Sequence, residues 1–256
     1  MKRLLSTGSI IAISLFLVFP TIVSAQIFSG GDHEKTFFGF EASGNYSMND
    51  NVLEEVNDGI QTHIDHYITT YPSITPLTPF EEVDNIDYRF GFRFGNLHVG
   101  GIFNETDKTS AGFESNMFFT QSYDLTVNTR EFLIYAGYMV PLTHWFEIGA
   151  FYAYGFGNVK GSLENQFAVV QNGKADLTGE YTPTRLEGKA RLHLTKYIAI
   201  DFIGGVKTSE IDDVKADYGL GAGEYAVADY SENPMTFDWS GTFYSVGLTL
   251  KNPLGK

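Results

Sequence analysis

Two histidines and an aspartate lie close together in this chain, at His63, Asp65 and His66. Imidazole and carboxylate groups at this spacing could bind a metal ion or hold a general base. The chain has no G-x-S-x-G or H-E-x-x-H motif that would supply a nucleophile or complete a zinc site. We therefore expect a solvated loop at this position, and we expect neither enzymatic activity nor a cofactor.

A second candidate for chemistry is the acidic group Asp212, Asp213 and Asp217. Carboxylate oxygens are the ligands that Ca²⁺ and Mg²⁺ favour, although this spacing does not match an EF-hand loop. The group belongs to the segment 209–236, which carries seven acidic residues and one lysine. A repulsive, solubilising surface loop is the simpler interpretation, and the three aspartates remain the candidates for a divalent-cation site.

Most of the other charged residues alternate with apolar ones. The segment 86–94 reads I-D-Y-R-F-G-F-R-F, so aromatic and aliphatic residues share one parity and charged residues the other. Side chains alternate across a strand, which gives one apolar and one charged face. Gly95-Asn96 then suits a tight hairpin turn, after which the alternation resumes to Phe103.

This alternation predicts eight antiparallel strands in an all-β, up-and-down barrel. Their ranges are 36–46, 86–94, 97–103, 127–140, 146–156, 185–194, 198–207 and 237–250. The connections at 95–96, 141–144 and 195–196 are short and the other four are long, which is typical of a transmembrane barrel with both termini at the short-turn end. Each strand has about the nine to eleven residues that a tilted crossing requires.

The long connections differ in character. Segment 49–84 has eight acidic residues and no Lys or Arg, and 52–71 could form an amphipathic helix that ends before Pro72. We interpret 104–126 as a loop with extended arms, and an additional strand there is the alternative. Segment 158–176 is predicted to be a polar loop, and 209–236 a second acidic loop.

The periodicity gives two faces. The row assigned to lipid includes Phe38, Phe40, Tyr88, Phe90, Phe92, Phe94, Phe146, Ile148, Tyr152, Ile200, Phe202, Val246 and Leu248. The row assigned to the lumen includes Glu41, Arg89, Arg93, Glu131, Glu147, Arg185, Glu187, Lys189, Arg191, Asp201 and Lys207, together with Asp87. A lumen this narrow must be filled by side chains or hold one small ligand, and rows of Phe and Tyr would overfill it.

Six carboxylates and six cations stand in the charged row, which predicts a paired, plugged lumen rather than a charge-selective pore. Asp201 should lie close to Lys189 or Arg191, and Glu41 at the height of Arg89 and Arg93. Two alternatives stay open. The apolar row could face inward, as in a lipocalin-like barrel, or the charges could be ordinary solvated surface residues.

Composition and the N-terminus set the cellular context. A basic start, an apolar run and Val23-Ser24-Ala25 predict a secretory signal peptide over 1–25, with an uncleaved membrane anchor as the alternative. The segment 26–35 would precede a barrel over 36–251, followed by a tail over 252–256. The chain has no cysteine, which argues against a lipoprotein, and its formal net charge of −14 argues against nucleic-acid binding and against adsorption to anionic lipid.

This architecture resembles the small eight-stranded outer-membrane barrels, namely the transmembrane domain of outer-membrane protein A and its X and W relatives. The resemblance covers about 36–250 and rests on the alternating rows above. It implies an integral protein of the bacterial outer membrane that is exported through the general secretory pathway and contacts lipopolysaccharide and the barrel-assembly machinery. The chain departs from the pattern at its C-terminus, where 251–256 lacks a terminal aromatic residue.

Three functions follow as hypotheses. The first is a structural or surface-interaction role, in which the acidic external loops contact an external ligand or a divalent cation. The second is a narrow or lateral transport path for small or hydrophobic solutes. The third is a lipid-modifying enzyme, for which His98, His144 and His193 lie at the short-turn end and only His63 and His66 lie outside.

Overall fold

A computed structural model describes residues 38–49, 54–68, 79, 85–106, 109–116, 120–167, 171–211, 214–217, 224–226 and 236–253. The predicted signal peptide over 1–25 and the segment 26–35 lie outside these ranges. No helix within them is long and apolar enough to cross a membrane.

The described elements are one helix and a series of antiparallel strands. Their bounds are β1 Phe38–Asn49, α1 Glu54–Ile68, β2 Asn85–Phe94, β3 Leu97–Thr106, β4 Thr109–Asn116, β5 Thr120–Pro141, β6 Phe146–Phe167, β7 Gln171–Tyr181, β8 Thr184–His193, β9 Ile198–Thr208, β10 Glu210–Ile211, β11 Lys215–Asp217, β12 Glu224–Ala226, β13 Phe237–Asp238 and β14 Gly241–Pro253. The predicted helix over 52–71 is confirmed as α1.

Eight of the strands close into a ring. Each neighbour pairs antiparallel in the order β1-β2-β3-β5-β6-β8-β9-β14, and β14 pairs back onto β1, where Lys251 lies opposite Glu41. The predicted eight-stranded up-and-down barrel is therefore confirmed. The alternation of apolar and polar residues predicts the strands and their two faces. Closure into a ring then pairs the backbone groups of every strand and leaves no edge.

The two ends of the barrel differ. The turn end carries three short connections, at 95–96, 142–145 and 194–197. In the tightest of them Gly95 has φ 61°, a left-handed conformation that glycine adopts without steric penalty. The opposite end, the loop end, carries the long connections, and there several strands continue past the ring.

The polar loop predicted over 158–176 is wrong. β6 runs on to Phe167 and pairs with β7 from Gly157 opposite Tyr181 to Phe167 opposite Gln171. β4 likewise pairs with β5, as at Phe113 opposite Tyr123, so 104–126 contains the additional strand that was the alternative interpretation. In the loop-end parts of β5 and β6 the alternation continues, but the apolar residues lie on the inner face instead of the outer face. In the sequence, this change of face resembles the end of a strand.

These extensions form a packed substructure, here called the cap: α1, β4, β7, β10 to β13 and the loop-end parts of β5 and β6. Its buried apolar core consists of Val56, Ile60, Leu125, Val127, Val159, Leu163, Ala175, Leu177, Tyr181, Ile211, Val214, Ala216, Phe237 and Trp239. The helix α1 contributes two of these residues, and the others lie on the strands of the cap or directly beside them. The acidic loop predicted over 209–236 is thus partly wrong as well, because β10, β11 and β12 lie within it.

Candidate functional site

The outer surface of the ring is apolar around its whole circumference. Of the row assigned to lipid, Phe146, Ile148 and Ile200 are half-buried and the other members are exposed; Tyr152 is 54% exposed and Phe202 52%. Rings on neighbouring strands contact one another, as in the Phe132–Phe156 pair, whose centroids lie 5.6 Å apart. A surface of this size and composition is unusual for a protein surrounded by water.

The inner surface of the ring holds the charged row. All twelve residues of that row, Asp87 included, are buried, and each lies within 4.0 Å of an oppositely charged group. Charge removed from bulk water requires such partners, because an unpaired buried ion costs several kcal/mol. The pairs fall into three networks along the barrel axis.

The upper network lies nearest the cap and consists of Arg89, Glu187, Asp87, Arg185, Glu131 and Lys207. Arg89 donates two hydrogen bonds to Glu187, at 2.5 and 2.9 Å, and a third to Asp87 at 3.1 Å. Arg185 joins Asp87 to Glu131, with both bonds at 2.8 Å. Since the members come from β2, β5, β8 and β9, the network crosses the lumen instead of lining one wall.

The middle network consists of Lys189, Asp201, Arg191, Glu41 and His98. Asp201 accepts hydrogen bonds from Arg191 at 2.7 and 3.1 Å, and Lys189 Nζ lies 2.8 Å from it. Arg191 also donates to both oxygens of Glu41, at 2.8 and 2.9 Å. Glu41 lies opposite Gly91, between the heights of Arg89 and Arg93, but its guanidinium partner is Arg191 across the barrel.

The turn-end network consists of Arg93, Glu147, His193 and Lys251. Arg93 donates to Glu147 at 2.7 and 3.1 Å, and His193 Nε2 lies 3.2 Å from the same carboxylate. Lys251 Nζ lies 2.6 Å from His193 Nδ1. This network closes the barrel immediately above the short turns.

One side of the lumen is apolar, and sequence reasoning placed several of its residues inward without predicting that they form a cluster. A buried cluster on β3, β5 and β6 consists of Ile102, Leu133, Tyr135, Met139, Phe151 and Ala153. The Tyr135 side chain extends over β3 toward β2, where a Cβ on Gly91 would lie 2.5 Å from its hydroxyl. The signal was present, because Leu133, Tyr135 and Phe151 share the inward parity with Glu131 and Glu147.

The cap and the upper network meet at Glu131. The hydroxyl of Tyr181, a residue of the cap core, donates to Glu131 at 2.8 Å, and the Ser209 hydroxyl donates to it at 3.4 Å. Lys207 Nζ lies 2.6 Å from the same carboxylate. Glu131 therefore binds the cap to the charges in the lumen, and the cap lies directly over the loop end of the barrel.

The candidates for metal and catalytic chemistry are only partly visible. His63 and His66 lie on the helix α1, so the solvated loop expected at this position is wrong. Their side chains are outside the described set, and so are Asp212 and Asp213. Asp65 is exposed and accepts a hydrogen bond from Gln61 at 2.7 Å, while Asp217 is exposed on β11 opposite Asp176. Within the described ranges, no group of three His, Asp or Glu side chains is arranged to hold a metal ion.

The outer face of the cap is charged. The exposed Glu164 accepts a hydrogen bond from Lys174 at 2.5 Å, and this carboxylate raises the pKa of the lysine. Arg130 pairs with Glu105 at 2.7 Å in a position that is about half exposed. Exposed pairs of this kind contribute little to stability, and they identify a surface that faces water.

No protein-family model matches the chain, and no curated protein matches it. Among solved structures the chain is similar to the outer membrane protein OprG from Pseudomonas aeruginosa, at 9% identity and a TM-score of 0.44, covering 86% of this chain and 98% of that one. It is also similar to Ail, the attachment invasion locus protein of Yersinia pestis, solved in complex with the heparin analogue sucrose octasulfate, at 10% identity and a TM-score of 0.38, covering 86% and 100%.

A further similar structure is the outer membrane protease OmpT from Escherichia coli, at 8% identity and a TM-score of 0.32, covering 86% of this chain and 97% of that one. Identities this low are insufficient to transfer an activity or a ligand. The barrel assignment therefore depends on the strand pairing of the chain itself.

Proposed function

We propose that this chain is an integral outer-membrane barrel with a plugged lumen, which presents the folded cap at the cell surface for a structural or surface-interaction role. The observation that supports this most directly is an exchange of polarity along β5 and β6. Phe132 and Phe156 are opposite one another and point outward, and the next outward pair is Arg130 and Asn158.

The inner face changes in the opposite sense at the same height. Glu131 is the last charged inward residue of β5, and beyond it Val127 and Leu125 are buried in the cap core. One pair of strands thus has apolar residues outside in the barrel and inside in the cap. Because the backbone is continuous, the difference lies in the surroundings, and lipid around the barrel with water around the cap accounts for it.

The dimensions of the apolar band fit this location. The outward apolar row of β6 extends from Phe146 to Phe156. At roughly 3.3 Å per residue and a tilt of about 40°, these eleven positions span about 25 Å, the height of the apolar band of outer-membrane barrels. Around this band we propose contact with lipopolysaccharide, and we propose export by the secretory signal and insertion by the barrel-assembly machinery.

The absence of cysteine in the chain provides a direct test of orientation. Lys174→Cys lies on the exposed outer face of the cap, and Thr143→Cys lies in an exposed short turn. In intact cells a membrane-impermeant maleimide should label the cap variant and should reach the turn variant only after permeabilisation. Labelling of the turn and protection of the cap would reverse the orientation, and labelling of both would contradict a membrane barrier between them.

The plugged lumen is tested by planar-bilayer recording with the purified full-length chain. The three networks and the apolar cluster fill the cross-section, so we expect no stable single-channel steps. Regular conductance steps that disappear when the protein is denatured would contradict the plug and favour transport.

A second candidate function is lateral transport, and a seam in the sheet favours it. Pairing between β8 and β9 ends at Thr184 opposite Thr208. Toward the cap, pairing resumes between β7 and β11, at Thr178 opposite Lys215. Pro183 lies in this seam and has no N–H to donate. The seam is packed with buried Tyr181 and Ile211, so transport would require those side chains to move.

A further inference from the structure

Two of the three short turns have the same sequence pattern and the same hydrogen bonds. The first is Leu142-Thr143-His144-Trp145 and the second is Leu194-Thr195-Lys196-Tyr197. In each, the backbone N–H groups of the first two residues donate to the carbonyl of the residue after the turn, at 3.0 and 3.1 Å in both cases. The threonine hydroxyl then accepts from the N–H of the aromatic residue, at 3.3 Å in the first turn and 3.1 Å in the second.

These bonds hold the large apolar side chains outward. Leu142 and Trp145 are 45% and 48% exposed, and Leu194 and Tyr197 are 53% and 49% exposed. The turns are neighbours in space, because the N–H of His193 donates to the carbonyl of Trp145 at 2.8 Å. They form one projecting patch, which continues the apolar outer surface of the barrel at its turn end.

Among the described residues of this patch the exposed charge is the cation of Lys196, although the chain as a whole has a net charge of −14. Lys196 is exposed, and its Nζ lies 4.7 Å from the centroid of the Tyr197 ring. The carboxylates of the described turn end, Glu41 and Glu147, are buried in the lumen networks. An ammonium group beside an aromatic ring at the border of an apolar surface is suited to a phosphate headgroup.

We propose that the two turns together bind anionic phospholipid headgroups of the leaflet at the turn end, with Trp145 and Tyr197 at the interface and Lys196 on the phosphate. The remaining short turn, Gly95-Asn96, has no aromatic or basic residue of its own, so the contact lies on one side of the barrel. This inference rests on the proposed membrane location, and it adds a lipid class and a site on the protein.

Tryptophan fluorescence tests the proposal, because the chain has two tryptophans and the second, Trp239, is buried in the cap core. The full-length chain is reconstituted in vesicles whose phospholipids carry bromine at a shallow or a deep position on the acyl chain. Trp145 should be quenched more by the shallow bromines. Trp145→Phe measures the contribution of Trp239, and Tyr152→Trp in that background places a reporter in the middle of the belt, where the deep bromines should quench more.

Headgroup preference is measured by mixing brominated phosphatidylglycerol or brominated phosphatidylcholine into unbrominated phosphatidylcholine. We expect Trp145 to report about a five-fold preference for the anionic lipid, which is the effect of one cation at a membrane surface. Lys196→Gln and 1 M salt should each reduce the preference to near one. Thr178→Gln, an uncharged change on the outer face of the cap, should leave it unaltered.

The outcomes separate this proposal from the proposed function. Quenching of the tryptophan reporter at position 152 without quenching of Trp145 would overturn the turn-end site and leave the membrane barrel intact. Equal affinity for the two lipids in the unmodified chain would overturn the anionic preference. Absence of quenching at both positions would contradict the membrane location and the site together.

Discussion

The barrel and the cap are built from the same strands with opposite polarity. In the barrel part of β6, Tyr152 points outward and Glu147 inward, whereas in the cap part Lys160 points outward and Leu163 inward. Both parts are antiparallel sheets with continuous pairing to β5, from Pro141 opposite Glu147 to Gln121 opposite Phe167. The strand pairing is therefore the same on both sides of the change in polarity. We attribute the choice of apolar or polar residues on each face to the medium that the face contacts.

The two regions are also stabilised in different ways. The cap has an ordinary apolar core, so burial of hydrophobic surface stabilises it. Burial of apolar side chains inside the barrel contributes less to its stability, because charged side chains fill much of the lumen. In the proposed membrane location the barrel's stability depends on lipid outside, on closed backbone pairing and on the three ion networks inside. The same kind of substitution should consequently differ in its cost between the two regions.

The largest effect is expected from Arg185→Met, which removes a cation from the upper network and leaves Asp87 and Glu131 short of a partner. Breaking a buried pair costs about 3–5 kcal/mol in the free energy of unfolding. Urea denaturation in lipid vesicles, followed by tryptophan fluorescence, measures the loss. Arg185→Lys retains the charge and should lose less, and a variant as stable as the parent would show that these ions are hydrated.

The next largest effect is expected from Tyr152→Arg, which puts a charge in the middle of the outer apolar belt. For a residue near the bilayer midplane the cost is about 2–4 kcal/mol. Thr178→Arg, on the outer face of the cap, is the matched control and should change the free energy of unfolding by less than about 0.5 kcal/mol. Equal tolerance at the two positions, measured in vesicles, would remove the contrast between the regions.

A smaller effect is expected at the junction. Tyr181→Phe removes the hydroxyl that connects the cap core to Glu131 while retaining the ring, and it should cost about 1–3 kcal/mol because a buried carboxylate loses a donor. If the cap is fixed to the lumen by this bond, trypsin should also cleave the cap faster in the variant. Unchanged stability together with unchanged proteolysis would mean that cap and barrel are not coupled through Glu131.

The smallest effect is expected from Arg130→Gln on the outer face of the cap. Its pair with Glu105 is about half exposed, and exposed pairs contribute less than about 1 kcal/mol. The variant should keep its denaturation midpoint, with any difference disappearing in high salt. A loss comparable to that of Arg185→Met would indicate that this surface is not in water.

Much of the barrel could be predicted from the sequence, because strand parity is a local property. Residues 86–94 alone reveal the two faces, and Asp201 lies beside Lys189 and Arg191 because a short hairpin brings them together. The partnership of Arg191 with Glu41 joins residues 150 positions apart and depends on how the ring closes, which no local pattern encodes.

The cap was harder to predict for a different physical reason. In 158–164 the residues alternate as in the barrel, as Val159, Lys160 and Leu163 illustrate, but the apolar parity is reversed. A search for one continuous apolar face interprets that reversal as the end of a strand. The helix α1 was visible as an amphipathic pattern, whereas only part of the surface on which it packs, at β13, came from a predicted strand, and β4 came from a segment predicted to be a loop.

A nitroxide scan along β6 measures directly whether lipid surrounds the barrel and water surrounds the cap. Single-cysteine variants at the outward positions from Ile148 to Glu164 are spin-labelled and reconstituted in vesicles. Accessibility to oxygen should exceed accessibility to a water-soluble nickel complex from Ile148 to Phe156, and the order should reverse between Asn158 and Lys160. Uniformly high accessibility to the nickel complex along the whole strand would contradict the account.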